Sequence, residues 1–345
     1  MNTPQDHIIS LIQKKSTYSL SDQDNSLIQK KGIEAYLFSK VASKKFRKSK
    51  LSPECEIRIK KAIHFAVSHN DPIQFILPAG GYKLWSLPSA PEANWAEFFN
   101  VAHIIKYLAP LVAAYPQGAH FSYYLFTNLM QISDNLSPED VSKYMDSFQA
   151  IISLFKPYLP SNITISIVKD TDFYSQQEYE HIFSSSLKEA QEIFDSFPAE
   201  KKEKYLKSST LNIKWRGASD WTMFSDKERA EKIQFGALSE VAGGADFFPK
   251  IKKWVFQEDK IIIFPSAKKE FIGIGSTSGS ITKHWTGVGI LEEENGRFYE
   301  RILAPSQYEV AKNITHKTVP ISLNSPINLK EIEVYTNRFN FTQSK

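Results

Sequence analysis

The composition of this 345-residue chain argues against a dedicated nucleic-acid binder and against a disulfide scaffold. Its 42 Lys and Arg residues are nearly balanced by 38 Asp and Glu residues, which leaves a net charge of +4, and Cys55 is its single cysteine. The sequence has no apolar run of about 20 residues that could cross a bilayer, and no signal-peptide pattern at its start. These features predict a soluble, cytoplasmic protein with no membrane partner.

The N-terminal region, residues 1–65, is predicted to be a helical and basic arm. Between residues 30 and 61 it carries eleven Lys or Arg residues against three Glu residues. Such a surface could contact phosphate or nucleic acid, but a solvated helical face is the simpler explanation, so nucleic acid is not expected as a partner. Residues 66–345 are predicted to form a single α/β catalytic domain, because no long polar linker divides them.

Strand and helix signals alternate after the basic arm. The strand candidates are short apolar or alternating runs at residues 72–78, 119–130 and 162–168. Two helices are predicted between them. One covers residues 95–114, with Asn94 as its N-cap and Pro110 expected to kink or shorten it, and the other begins after Ser137. This β-α-β-α-β order predicts an α/β fold with a mainly parallel, Rossmann-like sheet flanked by helices.

The C-terminal third has a different pattern. Helical residues 175–207 and 226–256 are followed by short strand candidates separated by Gly, Ser and Asn turns. These strand candidates lie at residues 260–265, 270–275, 286–291 and 298–303. Glu294-Asn295-Gly296 is a strong hairpin signal. A strand-rich C-terminal extension is therefore predicted, as an antiparallel continuation of the same sheet.

Lys83 and Glu97 are the first candidate site residues, because both lie near the end of the first predicted strand, where open α/β sheets bind ligands. Lys83 could hold a phosphate, or form a Schiff base if it is desolvated; otherwise it is an ordinary exposed loop lysine. Glu97 could act as a general base or bind an amine; otherwise it is a first-turn acid that complements the helix dipole.

Two later segments also carry candidate binding residues. Arg216 lies between two tryptophans and could grip a phosphate or carboxylate, or it could pair with Asp220 in a loop. Residues 273–279 form a glycine-rich loop with Lys283 nearby, but no helix signal follows the loop, so a nicotinamide-binding fold is not predicted. No metal-binding motif is present, and no cofactor is predicted.

A series of short segments occurs in a distinctive order along residues 70–310. The segments are Pro78-Ala79 with Lys83, Asn94-Trp95-Ala96-Glu97, Tyr115-Pro116-Gln117-Gly118-Ala119, Thr127-Asn128 with Asp134, Asp140-Val141, residues 260–265, and His284-Trp285-Thr286-Gly287-Val288. In this order they resemble the isocyanide (isonitrile) synthase family, which includes pyoverdine-cluster and spore-wall dityrosine biosynthesis proteins. The chain departs from the family at an arginine and two histidines, which are replaced by Lys260, Phe264 and Thr286, and at the acid of a Ser-Asp-Gly motif.

The resemblance implies an enzyme that joins the amino group of an amino acid, usually tyrosine or tryptophan, to the ketone of ribulose 5-phosphate. Loss of phosphate and sugar fragments then leaves the isonitrile, with no metal implied, and a downstream oxygenase is a candidate partner in the same pathway. Such chemistry needs a phosphate clamp, an acid–base group and an apolar slot. The catalytic candidates are Lys83, Glu97, Asp134 and His284. The substrate-binding candidates are Tyr82, Trp85, Trp95, Arg216, Lys283, Trp285 and Thr286.

Two functions remain open from the sequence. The first is an isonitrile-synthase-like enzyme of secondary metabolism that condenses an amino acid or amine with a phosphorylated sugar. The second is a non-catalytic or repurposed small-molecule-binding protein on the same fold. The replaced family histidines and arginine motivate this second hypothesis.

Overall fold

The computed structural model describes residues 3–339, apart from residues 15, 49, 84–86, 135, 217–223, 265–268, 276–280, 324–328 and 337–338. The helices are α1 Pro4–Lys14, α2 Asp22–Val41, α3 Pro53–His69, α4 Trp95–Ala114, α5 Thr127–Asp134, α6 Pro138–Phe155, α7 Gln176–Ser196, α8 Ala199–Arg216, α9 Asp226–Ala242, α10 Pro249–Val255 and α11 Pro305–Ala311. Short 3-10 helices are Lys156–Tyr158, Asp170–Asp172, Ala245–Phe247 and Ile281–Thr286. The strands are β1 Ile73–Gly80, β2 Ala119–Phe126, β3 Ile163–Lys169, β4 Lys260–Ile262, β5 Val288–Glu294, β6 Arg297–Leu303, β7 His316–Pro320 and β8 Glu331–Thr336.

A parallel sheet forms the centre of the fold. Its strand order is β3-β2-β1-β4, and every neighbouring pair is parallel. Helices connect and flank these strands, as the alternation of strand and helix signals predicts. The predicted α/β class and the Rossmann-like parallel sheet are therefore confirmed.

Capping residues form hydrogen bonds at the N-termini of the helices between these strands. At the start of α4, Asn94 Oδ1 accepts the backbone N–H of Ala96 at 2.7 Å, and Glu97 accepts the backbone N–H of Asn94 at 2.8 Å. Ser137 Oγ similarly accepts the backbone N–H of residue 140 at 3.0 Å at the start of α6. Pro110 does not shorten α4, which continues to Ala114 because packing of its buried apolar face outweighs one lost hydrogen bond.

The C-terminal strands form a second, mixed sheet, so the predicted continuation of the first sheet is wrong. The order of this sheet is β6-β5-β8-β7. The predicted hairpin is confirmed between β5 and β6, where Asn295 and Gly296 have φ values of 52° and 71°. The last strand, β8, pairs in parallel with β5, and β7 pairs antiparallel with β8. These pairings join distant segments, which a local pattern does not specify.

Two other strand predictions need correction. Residues 127–130 belong to α5 and not to β2, because the carboxylate of Asp170 accepts hydrogen bonds from the start of that helix. Residues 270–275 form isolated bridges to Ile263 and Arg47 in place of a regular strand. In both places contacts from distant residues outweigh the local β-propensity.

Among the N-terminal helices, α2 lies against α4. Tyr36 of α2 donates its hydroxyl to the backbone oxygen of Pro110 at 2.7 Å, and Tyr107 of α4 donates to the backbone oxygen of Val41 at 3.0 Å. The predicted boundary between residues 65 and 66 falls inside α3, and the division into arm and domain stays a prediction. Among the described helices, none is long and apolar enough to cross a membrane.

Replacing Tyr36 or Tyr107 by phenylalanine is expected to lower the free energy of unfolding by about 0.5–1.5 kcal/mol, because each change removes one buried hydrogen bond and keeps the ring. Urea unfolding followed by circular dichroism measures the loss. Tyr158→Phe, at an exposed tyrosine, is the control and should stay within about 0.5 kcal/mol of the wild type. Unchanged stability of both buried variants would contradict the docking of α2 on α4.

Candidate functional site

The candidate site lies at the carboxyl end of the parallel sheet, next to β1. From β1 the chain proceeds outward to β2 and β3, and later returns to the other side of β1 as β4. In open α/β sheets, ligands bind beyond the carboxyl ends of the strands at such a reversal. The turn that follows β1 carries Tyr82 and Lys83, which places both residues at this end of the sheet.

Gly80 and Gly81 allow two other segments to approach the end of β1. A Cβ atom at Gly80 would lie 2.6 Å from Nε1 of Trp285, and one at Gly81 would lie 2.9 Å from Cγ2 of Thr127. A larger residue at either position would force these side chains away. The glycines therefore bring the 3-10 helix Ile281–Thr286 and the start of α5 to the same place.

Lys83 and Glu97 form an ion pair in which both side chains are fully buried. Lys83 Nζ donates to the two carboxylate oxygens of Glu97, at 2.9 and 2.8 Å, and to the backbone oxygen of His284 at 3.1 Å. Glu97 also accepts the backbone N–H of Asn94 at 2.8 Å and the hydroxyl of Tyr144 at 3.3 Å. The ammonium hydrogens thus have an acceptor each, and both carboxylate oxygens have more than one donor.

Burial perturbs both members of this pair. Desolvation lowers the pKa of Lys83 and raises the pKa of Glu97, while the attraction between the two charges opposes both shifts. When the pKa values of two paired groups are driven toward each other, the free energy needed to move a proton between them is smaller than in an ordinary ion pair. The geometry therefore suits either a proton-transfer couple or a clamp between chain segments.

His284 lies beside the ion pair in an aromatic environment. Its ring packs against Tyr123, Phe148 and Trp285, with centroid distances of 5.8, 5.4 and 5.2 Å. Tyr123 donates its hydroxyl to Oδ1 of Asn100 at 2.6 Å. These buried rings make the end of β1 a region of low polarity, in which electrostatic interactions are strong.

Several of the predicted site residues, from distant parts of the chain, lie together at the end of β1. They are Tyr82, Lys83, Glu97, His284 and Trp285. Thr286 ends the same 3-10 helix and is partly buried. Their roles in catalysis and binding stay predictions.

The remaining predicted site residues are not placed with this group. Trp95 faces the second sheet, where its Nε1 donates to the backbone oxygen of Glu331 at 2.6 Å. Trp85 lies outside the described residues, as do Asp220 and residues 276–279 of the glycine-rich loop. For three others the structure describes the backbone alone: Asp134 at the end of α5, Arg216 at the end of α8, and Lys283 in the 3-10 helix.

Asp170 is a residue of this edge that the sequence interpretation missed. Its buried carboxylate accepts the backbone N–H groups of Thr127 at 3.0 Å, Asn128 at 2.8 Å, Leu129 at 3.3 Å and Thr171 at 3.0 Å. Asp170 therefore caps α5 from another segment of the chain. Burial raises the pKa of this carboxyl group, and the hydrogen bonds oppose the shift. Its position directly after a predicted strand was the signal that could have found it.

Neither a metal-ligand cluster nor a reactive thiol is found in the described part of the chain. No group of three or more His, Cys, Asp or Glu residues is arranged there to hold a metal ion. Cys55 is buried, and burial raises the pKa of its thiol to about 11. Cys55 therefore lacks the lowered pKa that is typical of a nucleophilic cysteine.

Comparison with known proteins relates the chain to others at the level of the fold. No protein-family model and no curated protein matches it. The crystal structure of the PvcA protein from Pseudomonas aeruginosa is similar, with a TM-score of 0.61 over 88% of this chain and 99% of that chain, at 14% sequence identity. A tryptophanyl-tRNA synthetase homolog from Entamoeba histolytica matches 73% of this chain and 57% of its own at 10% identity, but its TM-score of 0.26 is too low to indicate a shared fold. The protein thus has an α/β fold similar to that of PvcA.

Breaking the Lys83–Glu97 pair is expected to cost more than removing both charges. Lys83→Met or Glu97→Gln alone should lower the free energy of unfolding by about 3–5 kcal/mol, because one charge stays buried without its partner. The double variant should lose less than the sum of the single losses. Urea unfolding of the wild type and the variants measures this cycle, and additive losses would contradict direct coupling of the two side chains.

Proposed function

We propose that the protein is an isonitrile-synthase-like enzyme of secondary metabolism, which condenses an amino acid or amine with a sugar phosphate such as ribulose 5-phosphate. The observation that carries the proposal is the meeting of Lys83, Glu97 and His284 at the switch point of the parallel sheet. The similarity of the fold to PvcA and the order of the sequence segments that resemble the isonitrile synthase family also support it.

Condensation of an amine with a ketone requires proton transfer in both directions. The amine nitrogen attacks the ketone carbon, a base takes the proton that nitrogen loses, and an acid protonates the leaving hydroxyl, so that an imine and water form. Under the proposal, the Lys83–Glu97 pair takes the proton that the amine nitrogen loses and passes a proton to the leaving hydroxyl. The pair suits this role because burial drives the two pKa values toward each other. His284 and Asp134 are the further acid–base groups of the proposal.

Substrate binding in the proposal divides between an apolar wall and a phosphate clamp. The proposed wall consists of Tyr82, Trp85, Trp285 and Thr286, without Trp95, because that side chain faces the second sheet. The proposed phosphate ligands are Arg216 and Lys283, because guanidinium and ammonium groups form charge-assisted hydrogen bonds with phosphate. An oxygenase of the same pathway is the proposed consumer of the product.

A second candidate function is a small-molecule-binding protein without turnover. The observation that favours it is the complete burial of Lys83 and Glu97, whose charges are already paired with each other. In that case the pair acts as a clamp, since Lys83 also holds the backbone oxygen of His284 and so fixes the 3-10 helix against the start of α4.

Mass spectrometry of the purified protein, incubated with ribulose 5-phosphate and each standard amino acid in turn, tests the proposed function. We expect an amine–sugar condensation product or an isonitrile that forms only when both substrates and the protein are present. Absence of any such product with every amino acid would contradict the enzymatic proposal.

If the wild type shows turnover, the Lys83→Met/Glu97→Gln double variant separates two roles of the ion pair. If the pair transfers protons, the folded double variant should lose turnover by about 100-fold or more, because general acid–base catalysis contributes at least that much. If the pair is only a clamp in an active enzyme, the double variant should keep the wild-type kcat. Near-ultraviolet circular dichroism verifies that the compared proteins have the same tertiary packing.

A further inference from the structure

Asn128 has a buried side chain without a hydrogen-bond partner. It is the second residue of α5, and its exposed fraction is 1%. Within the part of the chain that the structure describes, neither Oδ1 nor Nδ2 of Asn128 has a hydrogen-bond partner. Burial of an unpaired amide is unfavourable, and nearly all buried polar side chains in native proteins are paired. Such a side chain at the ligand-binding edge of a sheet points to a ligand as its partner.

The position of Asn128 adjoins the candidate site. The preceding residue, Thr127, lies against the turn after β1, since a Cβ atom at Gly81 would be 3.5 Å from the Thr127 backbone nitrogen. The strands β1 and β2 are neighbours, with Gly80 opposite Phe126 at their carboxyl ends. Asn128 therefore lies at the same edge of the sheet as Lys83.

The charge next to Asn128 favours one class of ligand group. The backbone N–H of Asn128 already donates to Asp170 Oδ2 at 2.8 Å, as part of the cap on α5. The positive end of this helix dipole is thus occupied by a carboxylate of the chain itself. A phosphate at this point would be repelled by Asp170 in a buried environment, whereas an ammonium group would be attracted.

We propose that the side chain of Asn128 binds the ammonium group of an α-amino acid substrate. Oδ1 of Asn128 accepts a hydrogen bond from that ammonium group. This assignment adds a substrate-binding residue to the proposed function. The choice of an amino acid as the ligand rests on that proposed function. It places the phosphate of the second substrate away from the start of α5.

Asn128→Leu tests the inference first through stability. Leucine has nearly the shape of asparagine without its polar atoms, and the backbone hydrogen bond to Asp170 remains. We expect a Tm equal to or above that of the wild type, because an unpaired buried amide is removed. Asn100→Leu is the matched control: Asn100 is equally buried, but its Oδ1 accepts the Tyr123 hydroxyl at 2.6 Å, so this variant should have a lower Tm.

Ligand binding is the second measurement. Calorimetric titration of the wild type and Asn128→Leu with each standard amino acid, and separately with ribulose 5-phosphate, gives the affinities. We expect the variant to bind the preferred amino acid about tenfold or more weakly, with the affinity for ribulose 5-phosphate unchanged. The inference is overturned by a fall in Tm as large as that of Asn100→Leu. It is also overturned by unchanged amino-acid affinity, by a loss confined to ribulose 5-phosphate, or by a wild type that binds no amino acid.

Failure of the binding inference and failure of the enzymatic proposal give different results. If the wild type forms no condensation product but Asn128→Leu is stable and binds the amino acid weakly, the enzymatic proposal fails and the binding site stands. If the wild type is active and Asn128→Leu has an unchanged KM for the amino acid, the binding inference alone fails.

Discussion

The buried ion pair between Lys83 and Glu97 is the interaction on which the geometry of the candidate site depends. It joins the turn after β1, the first turn of α4 and the backbone of the 3-10 helix Ile281–Thr286. Removing two charges from water is costly, and their attraction repays the cost only when the other donors and acceptors are also bonded. The backbone of Asn94 and the hydroxyl of Tyr144 meet that condition. The pair therefore favours one relative position of the three segments.

A second buried carboxylate sets the electrostatics of the same edge. Asp170 accepts hydrogen bonds at the start of α5, as Glu97 does at the start of α4. Helix N-termini at the carboxyl end of a parallel sheet are common phosphate-binding sites. Here the protein's own acidic side chains occupy these two termini. A phosphorylated substrate therefore depends on cationic side chains, such as the proposed Arg216 and Lys283, more than on these helix dipoles.

The parallel sheet and its helices could be predicted because their signals are local, such as the capping box of Asn94. The second sheet could not, because β5 and β8 pair across a long stretch of sequence and their register depends on packing. Residues 127–130 looked like strand because their helical state depends on Asp170, about 43 residues later. The site was predicted in part from polar residues near a strand end. That Lys83 bonds Glu97, and that Trp95 faces β8, are properties of tertiary packing, which sequence spacing does not encode.

A crystal structure of the protein with an amino acid and ribulose 5-phosphate bound is the most direct test of the central claim, that ligands bind at the carboxyl end of β1. We expect the amino acid between the turn that carries Tyr82 and the start of α5, with its reacting α-amino nitrogen between Asn128 on one side and Lys83 and His284 on the other. Ligand density at a different surface, with this edge of the sheet unchanged, would contradict the claim.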